Sequence, residues 1–430
     1  MEPTTNASVS AAPLYSNCFD EVGWASGNQR VVPVLCRHRL SPGGVVQWTN
    51  PQPVSQRTCQ PSQQLASPLQ PSPLRPSSLQ PVTETACSDN SRSCQSHCEA
   101  LPLEVCRSGN TAEFRRLLAD NPGIAQQWFR SADTGCAVTL LHIAARHGHK
   151  KILQALLEAG ADHHATCANM TALFLAVSEG HEACWLALLS AGANPDTPRK
   201  TGATPLICAA MQGNPRAVKT LINAGANIHL TFMGGLTALH ISVLRGDNVP
   251  VALTLINAGA DCNATDDDGE TPLFIAIREG SVKCAQILIE KGAKVDVACD
   301  DGTTPLYLAV KENCEVIVQA LLRAEATANP APCWDGTTPL HLAVINGNKN
   351  ITKALIQNGA DPDVADGVGI TPLYIAAREG HEKCLKALLK AGANTNISCF
   401  PDGATPLSAA ARNQQLGSVR LLLNAGVKKK

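Results

Sequence analysis

Short apolar bursts, separated by polar and glycine positions, recur along most of the chain; the clearest copy is Thr371–Asn394, TPLYIAAREGHEKCLKALLKAGAN. Thr371 suits a helix N-cap, where its hydroxyl accepts an orphan backbone N–H, and Pro372 suits the first helical position, where its missing N–H costs nothing. Leu373, Ala376 and Ala377 form one apolar face, and Gly380 closes this first helix. Cys384, Leu385, Leu388 and Leu389 are predicted to face inward from a second helix. Gly392 stops that helix in the left-handed conformation that glycine adopts without strain. Each helix has about two turns, too few to persist alone in water, so the pair must be covered by neighbours.

The neighbours are in the sequence. Threonine recurs at 171, 204, 237, 271, 304, 338, 371 and 405, at steps of 33 or 34, and Thr139 opens an earlier copy, TLLHIAARHGHKKILQALLEAGAD. A period of 33 built from a turn and two helices matches the ankyrin repeat. TPLHLAVINGN (338–348) and TALHISVLRGD (237–247) are similar to that family's signature almost letter for letter. The resemblance covers residues 100–426 and implies an all-α fold: an ankyrin-repeat solenoid of helix-turn-helix repeats with β-hairpin fingers. About ten units at ~8–10 Å between helix layers would make a curved rod roughly 90 Å long. Residues 101–122 align with the helix pair when Gly109 is matched to Gly148; this first unit, with Trp128-Phe129 in its long finger, resembles a capping repeat.

The turns between units are equally legible. Gly202, Gly235, Gly269, Gly302, Gly336, Gly369 and Gly403 stand two residues before each Thr, as positive-φ turn residues, with Asn169 in their place in one copy. In the 304–337 copy Asn313 and Glu325 replace glycines, which predicts a local weak point costing on the order of 1 kcal/mol.

Composition separates residues 1–99 from the solenoid. This Pro-, Ser- and Gln-rich stretch has no lysine and no apolar period, so disorder is expected. Ser41, Ser67 and Ser72 each precede proline and are candidate phosphorylation sites, although such pairs also arise from composition alone. Cys87, Cys94, His97 and Cys98 lack the tight spacing of a zinc site and read as ordinary thiols. Among the 18 cysteines, Cys184, Cys284 and Cys384 stand 100 residues apart, at one core position three repeats apart; this argues for packed, reduced thiols. His142, His240 and His341 share their position with Phe174, Phe274, Tyr307 and Tyr374, which reads as packing rather than catalysis. Neither an active site nor a metal or other cofactor is expected, and no small-molecule substrate.

A net charge of −1 and a pI near 6.8 leave no basic footprint for nucleic acid. No apolar run reaches the ~20 residues of a membrane span, and the N-terminus lacks the features of a signal peptide. The expectation is a cytoplasmic or nuclear protein. Residues 427–430 are a basic end, and copies such as GHEKCLKALLKAGA resemble those of ankyrin proteins with a suppressor-of-cytokine-signalling box. That box recruits elongin and cullin to a ubiquitin ligase, and none is expected after Gly426.

The remaining expectation is protein binding. The family's habit of using fingertips and the concave inner-helix face points to Met233, Asp266, Asp267, Asp268, Asp300, Asp301, Trp334 and Asp335 at the tips. It also points to a basic row on the first helices that includes Arg278, Lys311 and Arg378. Cys167 falls at the tip position of an earlier finger. The sum reads as a non-enzymatic scaffold or adaptor, with a ligase substrate-recognition subunit as the alternative.

Overall fold

The computed structural model describes residues 101–130, 136–244, 246–330, 335–399 and 403–427. Trp334, Ser41, Ser67, Ser72 and the tail cysteines lie outside the described residues. Among the described residues the helices form ten consecutive pairs. They are α1 (101–108) with α2 (Thr111–Asp120), α3 (Leu140–His147) with α4 (Lys150–Glu158), α5 (Ala172–Ser178) with α6 (Glu182–Ser190), and α7 (Pro205–Met211) with α8 (Pro215–Asn223). Next come α9 (Ala238–Leu244) with α10 (Val249–Asn257), α11 (Pro272–Arg278) with α12 (Val282–Glu290), and α13 (Pro305–Lys311) with α14 (Glu315–Arg323). The last are α15 (Pro339–Ile345) with α16 (Lys349–Gln357), α17 (Pro372–Glu379) with α18 (Glu382–Lys390), and α19 (Pro406–Arg412) with α20 (Leu416–Val427). From α3 onward each first helix packs on the next first helix, and from α2 onward each second helix on the next second helix.

Local chemistry explains each start. The hydroxyls of Thr171, Thr204, Thr271, Thr304, Thr371 and Thr405 accept the backbone N–H three residues on, at 3.1–3.3 Å. Proline at the first helical position follows most of these caps. Alanines such as Ala176, Ala209, Ala276, Ala309, Ala343 and Ala376 are fully buried, so the first helices approach closely. Cys184, Ala217, Cys284, Ile317, Ile351 and Cys384 line the second layer. Leu389, expected in that layer, is only half-buried.

Burial pushes the Cys106 and Cys208 thiols up to about 12 and that of Cys184 to about 11, so they pack as neutral side chains. Gly380 (φ 75°) and Gly392 (φ 91°) follow their helices as expected, and Glu325 (φ 62°) and Asn313 (φ 54°) hold the same left-handed geometry with a side chain.

Two devices tie unit to unit. At the back of the array, side chains of one unit satisfy the last carbonyls of the preceding first helix, which have no intrahelical donor. His149 Nε2 donates to Arg107 O at 2.9 Å, His181 Nε2 to Arg146 O at 2.8 Å, Ser281 Oγ to Val243 O at 3.1 Å and Asn346 Nδ2 to Val310 O at 3.0 Å. In the loops, Asp196, Asn263, Asp296 and Asp363 each accept a backbone N–H from the next unit at 2.7–3.0 Å.

One loop is longer than its counterparts. Asp247 is the additional residue between α9 and α10, and its carboxylate accepts Lys283 N at 3.0 Å and Cys284 N at 3.3 Å, in the first turn of α12 in the next unit.

Candidate protein-interaction face

Several described fingers end in a five-residue turn that leads into the capping Thr. In 266–270 the first residue's N–H donates to the fifth residue's carbonyl at 3.1 Å, and the fourth residue's N–H returns to the first carbonyl at 3.1 Å. Turns 199–203, 299–303 and 366–370 repeat both bonds at 2.8–3.1 Å. The fourth residue is glycine at positive φ in each. Strand pairing is less general than the hairpin expectation. Among the described residues it is confined to β1 (Trp128–Arg130) with β2 (Ala137–Thr139), β3 (Thr166–Cys167) with β4 (Met170–Thr171), and β5 (Thr231–Phe232) with β6 (Leu236–Thr237), plus a Cys399–Ala404 bridge. The other described fingers close on the turn alone, too short for a ladder.

The turns are also bonded to one another. The second residue's N–H donates to the third residue's carbonyl in the preceding turn: Asp267 to Gly234 at 2.9 Å, Asp300 to Asp268 at 3.1 Å and Gly367 to Asp335 at 2.9 Å. Glycine in the fourth position is needed for this approach as well as for its φ. A Cβ on Gly235 would meet Asp267 N at 3.0 Å, and one on Gly336 would meet Gly367 N at 2.6 Å. A histidine hooks several turns from behind. His142, His240 and His341 each take a Thr backbone N–H on Nδ1 at 3.1–3.4 Å, so Nε2 carries the proton and donates to the fifth carbonyl of the next turn, Met170, Glu270 or Ile370, at 2.9–3.2 Å. Burial lowers the pKa of His142 to about 4 and lowers that of His341, consistent with neutral hooks.

Against this frame the expected tip residues sort into two kinds. Asp267, Asp268, Asp300 and Asp301 are exposed, and Met233 is 50% exposed. Asp266 is a correction: it is 6% exposed, and its Oδ1 accepts the N–H groups of Asp268 at 3.0 Å and Glu270 at 2.9 Å. Its carboxylate is the staple of the turn, not a contact. Asp335 is half-buried and bonds Thr337 N at 2.9 Å. Asp301 Oδ1 accepts from Thr303 N at 2.8 Å and from the Cys299 thiol at 2.9 Å. Burial raises the Asp301 pKa, but those bonds and Lys311 outweigh it, and the net shift is downward. Cys167 is buried because β3 folds it under its hairpin, which corrects its placing at a tip.

The basic row divides between paired and exposed side chains. Arg278 is ion-paired with Glu270 and with Glu279 (3.2 Å), and Arg378 pairs with Glu379 at 2.8 Å; Lys311 is exposed. Sequence reasoning missed the Glu270–Arg278 pair because only the turn-to-helix geometry joins residues eight apart. It could have separated Asp266 from its neighbours, since Asp366 stands at the same place and Asp bonding the N–H two residues on is an Asx turn.

The face offers bonded backbone turns and exposed carboxylates. Among the described residues no group of three or more metal-ligating side chains lies together, and no helix is long and apolar enough to cross a membrane.

The family profile described as Ankyrin repeats (3 copies) matches in overlapping blocks from 103–199 to 340–430, together spanning residues 103–430. The chain belongs to the ankyrin-repeat family. Ankyrin arrays are in general protein–protein interaction modules rather than enzymes. The chain is 27% identical over 228 residues to the Probable E3 ubiquitin-protein ligase XBOS32 of Oryza sativa subsp. japonica, covering 46% of this chain and 38% of that protein. It therefore spans well under half the length of this curated relative. Among solved structures it is similar to the ankyrin repeat domain of Bcl-3, a member of the IkappaB protein family (28% identity, TM-score 0.46, 50% of this chain and 96% of that one). It is likewise similar to the human ASB11 ankyrin repeat domain (30% identity, TM-score 0.43, 52% of this chain and 98% of that one).

Proposed function

We propose that the ankyrin array is a non-enzymatic scaffold or adaptor that takes a basic protein segment across its acidic finger turns. The observation that carries this is the set of four exposed carboxylates, Asp267, Asp268, Asp300 and Asp301, on turns held at fixed spacing by the Asp300–Asp268 backbone bond. Residues 258–290 contain seven acidic and two basic residues, so the local field has one sign. Met233 adds an exposed apolar contact one turn earlier. Trp334, four residues before Thr338 in the sequence, is the aromatic anchor of this reading. Exposed charges are screened within a Debye length of about 8 Å at physiological salt, so binding should weaken as salt rises.

The test is capture of a basic peptide array by the full chain and by its Asp267→Lys/Asp300→Lys variant. Loss of basic-peptide binding with unchanged helix content supports the proposal, and undiminished binding moves the site elsewhere.

The rice relative's name supports a second reading, in which the array is the substrate-recognition part of a ubiquitin ligase. Stoichiometric co-purification of a cullin and elongin with the full chain would establish the cullin-type form of it.

A further inference from the structure

Two consecutive units replace charge with aliphatic side chains on the same face as the acidic turns. The Glu270–Arg278 pair defines that face, because it brings the fifth turn residue against the last residue of the following first helix. In turn 366–370 the fifth position is Ile370, half-buried, and Arg378 bonds Glu379 instead. Ile345 holds the Arg278 position at the end of α15 and is 49% exposed. The third turn position reads Asp268, Asp301, Asp335 and then Val368, which is 53% exposed. Single exposed aliphatics are ordinary on a protein surface; here two exposed ones, Ile345 and Val368, and the half-buried Ile370 fall within two adjacent units on the side of the array that carries the acidic turns. Gly367 N is bonded to Asp335 O and α15 packs on α17, so they are held as firmly as the acidic turns.

We infer that this face is a bipartite docking strip for one extended protein segment. A basic cluster of that segment meets Asp267, Asp268 and Asp300, and an apolar anchor of the same segment covers Ile345, Val368 and Ile370. The inference rests on the acidic-turn reading above and adds the second half, the order and the spacing. Turns 299–303 and 266–270 lie two and three units from turn 366–370, or roughly 20–30 Å at one packed helix layer per unit. An extended chain crosses that in about six to nine residues. Charge steers the encounter, whereas the desolvated anchor sets how long the segment stays.

Selection of random 20-residue peptides by phage display on the full chain tests this directly. Enriched peptides should carry a basic cluster and an aliphatic or aromatic cluster, always in one order and about six to nine residues apart. A synthesised winner should lose about tenfold or more in affinity on Asp267→Lys/Asp300→Lys and again on Ile345→Glu/Val368→Asp, with only the first pair removing the salt dependence. Helix content from circular dichroism checks that both variants fold. Winners that are basic without an apolar cluster, and indifferent to Ile345→Glu/Val368→Asp, overturn the strip and leave the acidic-turn reading standing. Winners without a basic cluster overturn both.

Discussion

Turns 266–270 and 366–370 stand three units apart and are built alike. Each is stapled by its first aspartate: Asp266 bonds the third and fifth N–H groups at 3.0 and 2.9 Å, and Asp366 does so at 2.9 and 2.8 Å. Each is bonded to a preceding third-position carbonyl at 2.9 Å and hooked by a histidine from the unit before. Yet the outward residues are Asp267, Asp268 and Glu270 in one, and Gly367, Val368 and Ile370 in the other. In these two turns the side-chain staple and the positive φ fall at the first and fourth positions, and the side chains at the second, third and fifth set what the surface attracts.

The sharpest way to break the likeness is at the shared glycine. Gly235→Ala and Gly336→Ala combine a left-handed φ of 76° with close contact to the next turn and should each cost about 3–4 kcal/mol. Gly202→Ala (φ 86°) meets nothing within 4 Å and should cost only about 1–2 kcal/mol. Urea unfolding measures all three, and equal costs would mean the turns do not abut as described.

Acid separates the turns by what hooks them. His142 takes its second proton only near pH 4, whereas an unfolded histidine takes one near 6.5. The unfolded state therefore binds more protons between those values, and stability should fall as pH drops through that window, by up to about 3 kcal/mol from this group. His341 is shifted in the same direction. His142→Phe, with the side chain that Phe174 and Phe274 place at the equivalent position, should remove this share of the pH dependence. Phe274 stands at the hook position before turn 299–303, so that turn should keep its amide protection as pH falls below 6.5, whereas turn 366–370, hooked by His341, should lose some; hydrogen exchange reads the difference.

The smallest effects sharpen the division of labour. Asp266→Ala and Asp366→Ala each orphan two backbone N–H groups and should cost about 2 kcal/mol. Their neighbours Asp267→Ala and Val368→Ala should stay within about 0.5 kcal/mol by the same unfolding measurement. A costly Asp267→Ala would give that residue a structural role.

How much of this is legible before folding depends on whether a residue's role repeats with the unit. The Thr caps, the positive-φ glycines and the buried Cys184, Cys284 and Cys384 recur at one phase, so periodicity alone exposes them. Glu325 is legible as an exception for the same reason. Asp266 is legible only by its match with Asp366 one hundred residues on, because charge count alone groups it with Asp267 and Asp268, and its hydrogen bonds are what remove it from the surface. Arg278 looks like an available cation until the turn brings Glu270 to it. The aliphatic residues Ile345, Val368 and Ile370 hide because they sit at three different phases of the repeat and are spread over two units.

Asp247 carries a consequence for how such a chain can be recombined. A lengthened loop in one unit, which would otherwise be a tolerated surface insertion, has become the N-terminal cap of α12 in the next. The units beginning at Thr237 and Thr271 are therefore not interchangeable cassettes. Excising the first would strip its neighbour of an acceptor for two amides, and transplanting the second would move a helix start without the carboxylate that finishes it. Gene duplication and shuffling would have to carry them as a pair.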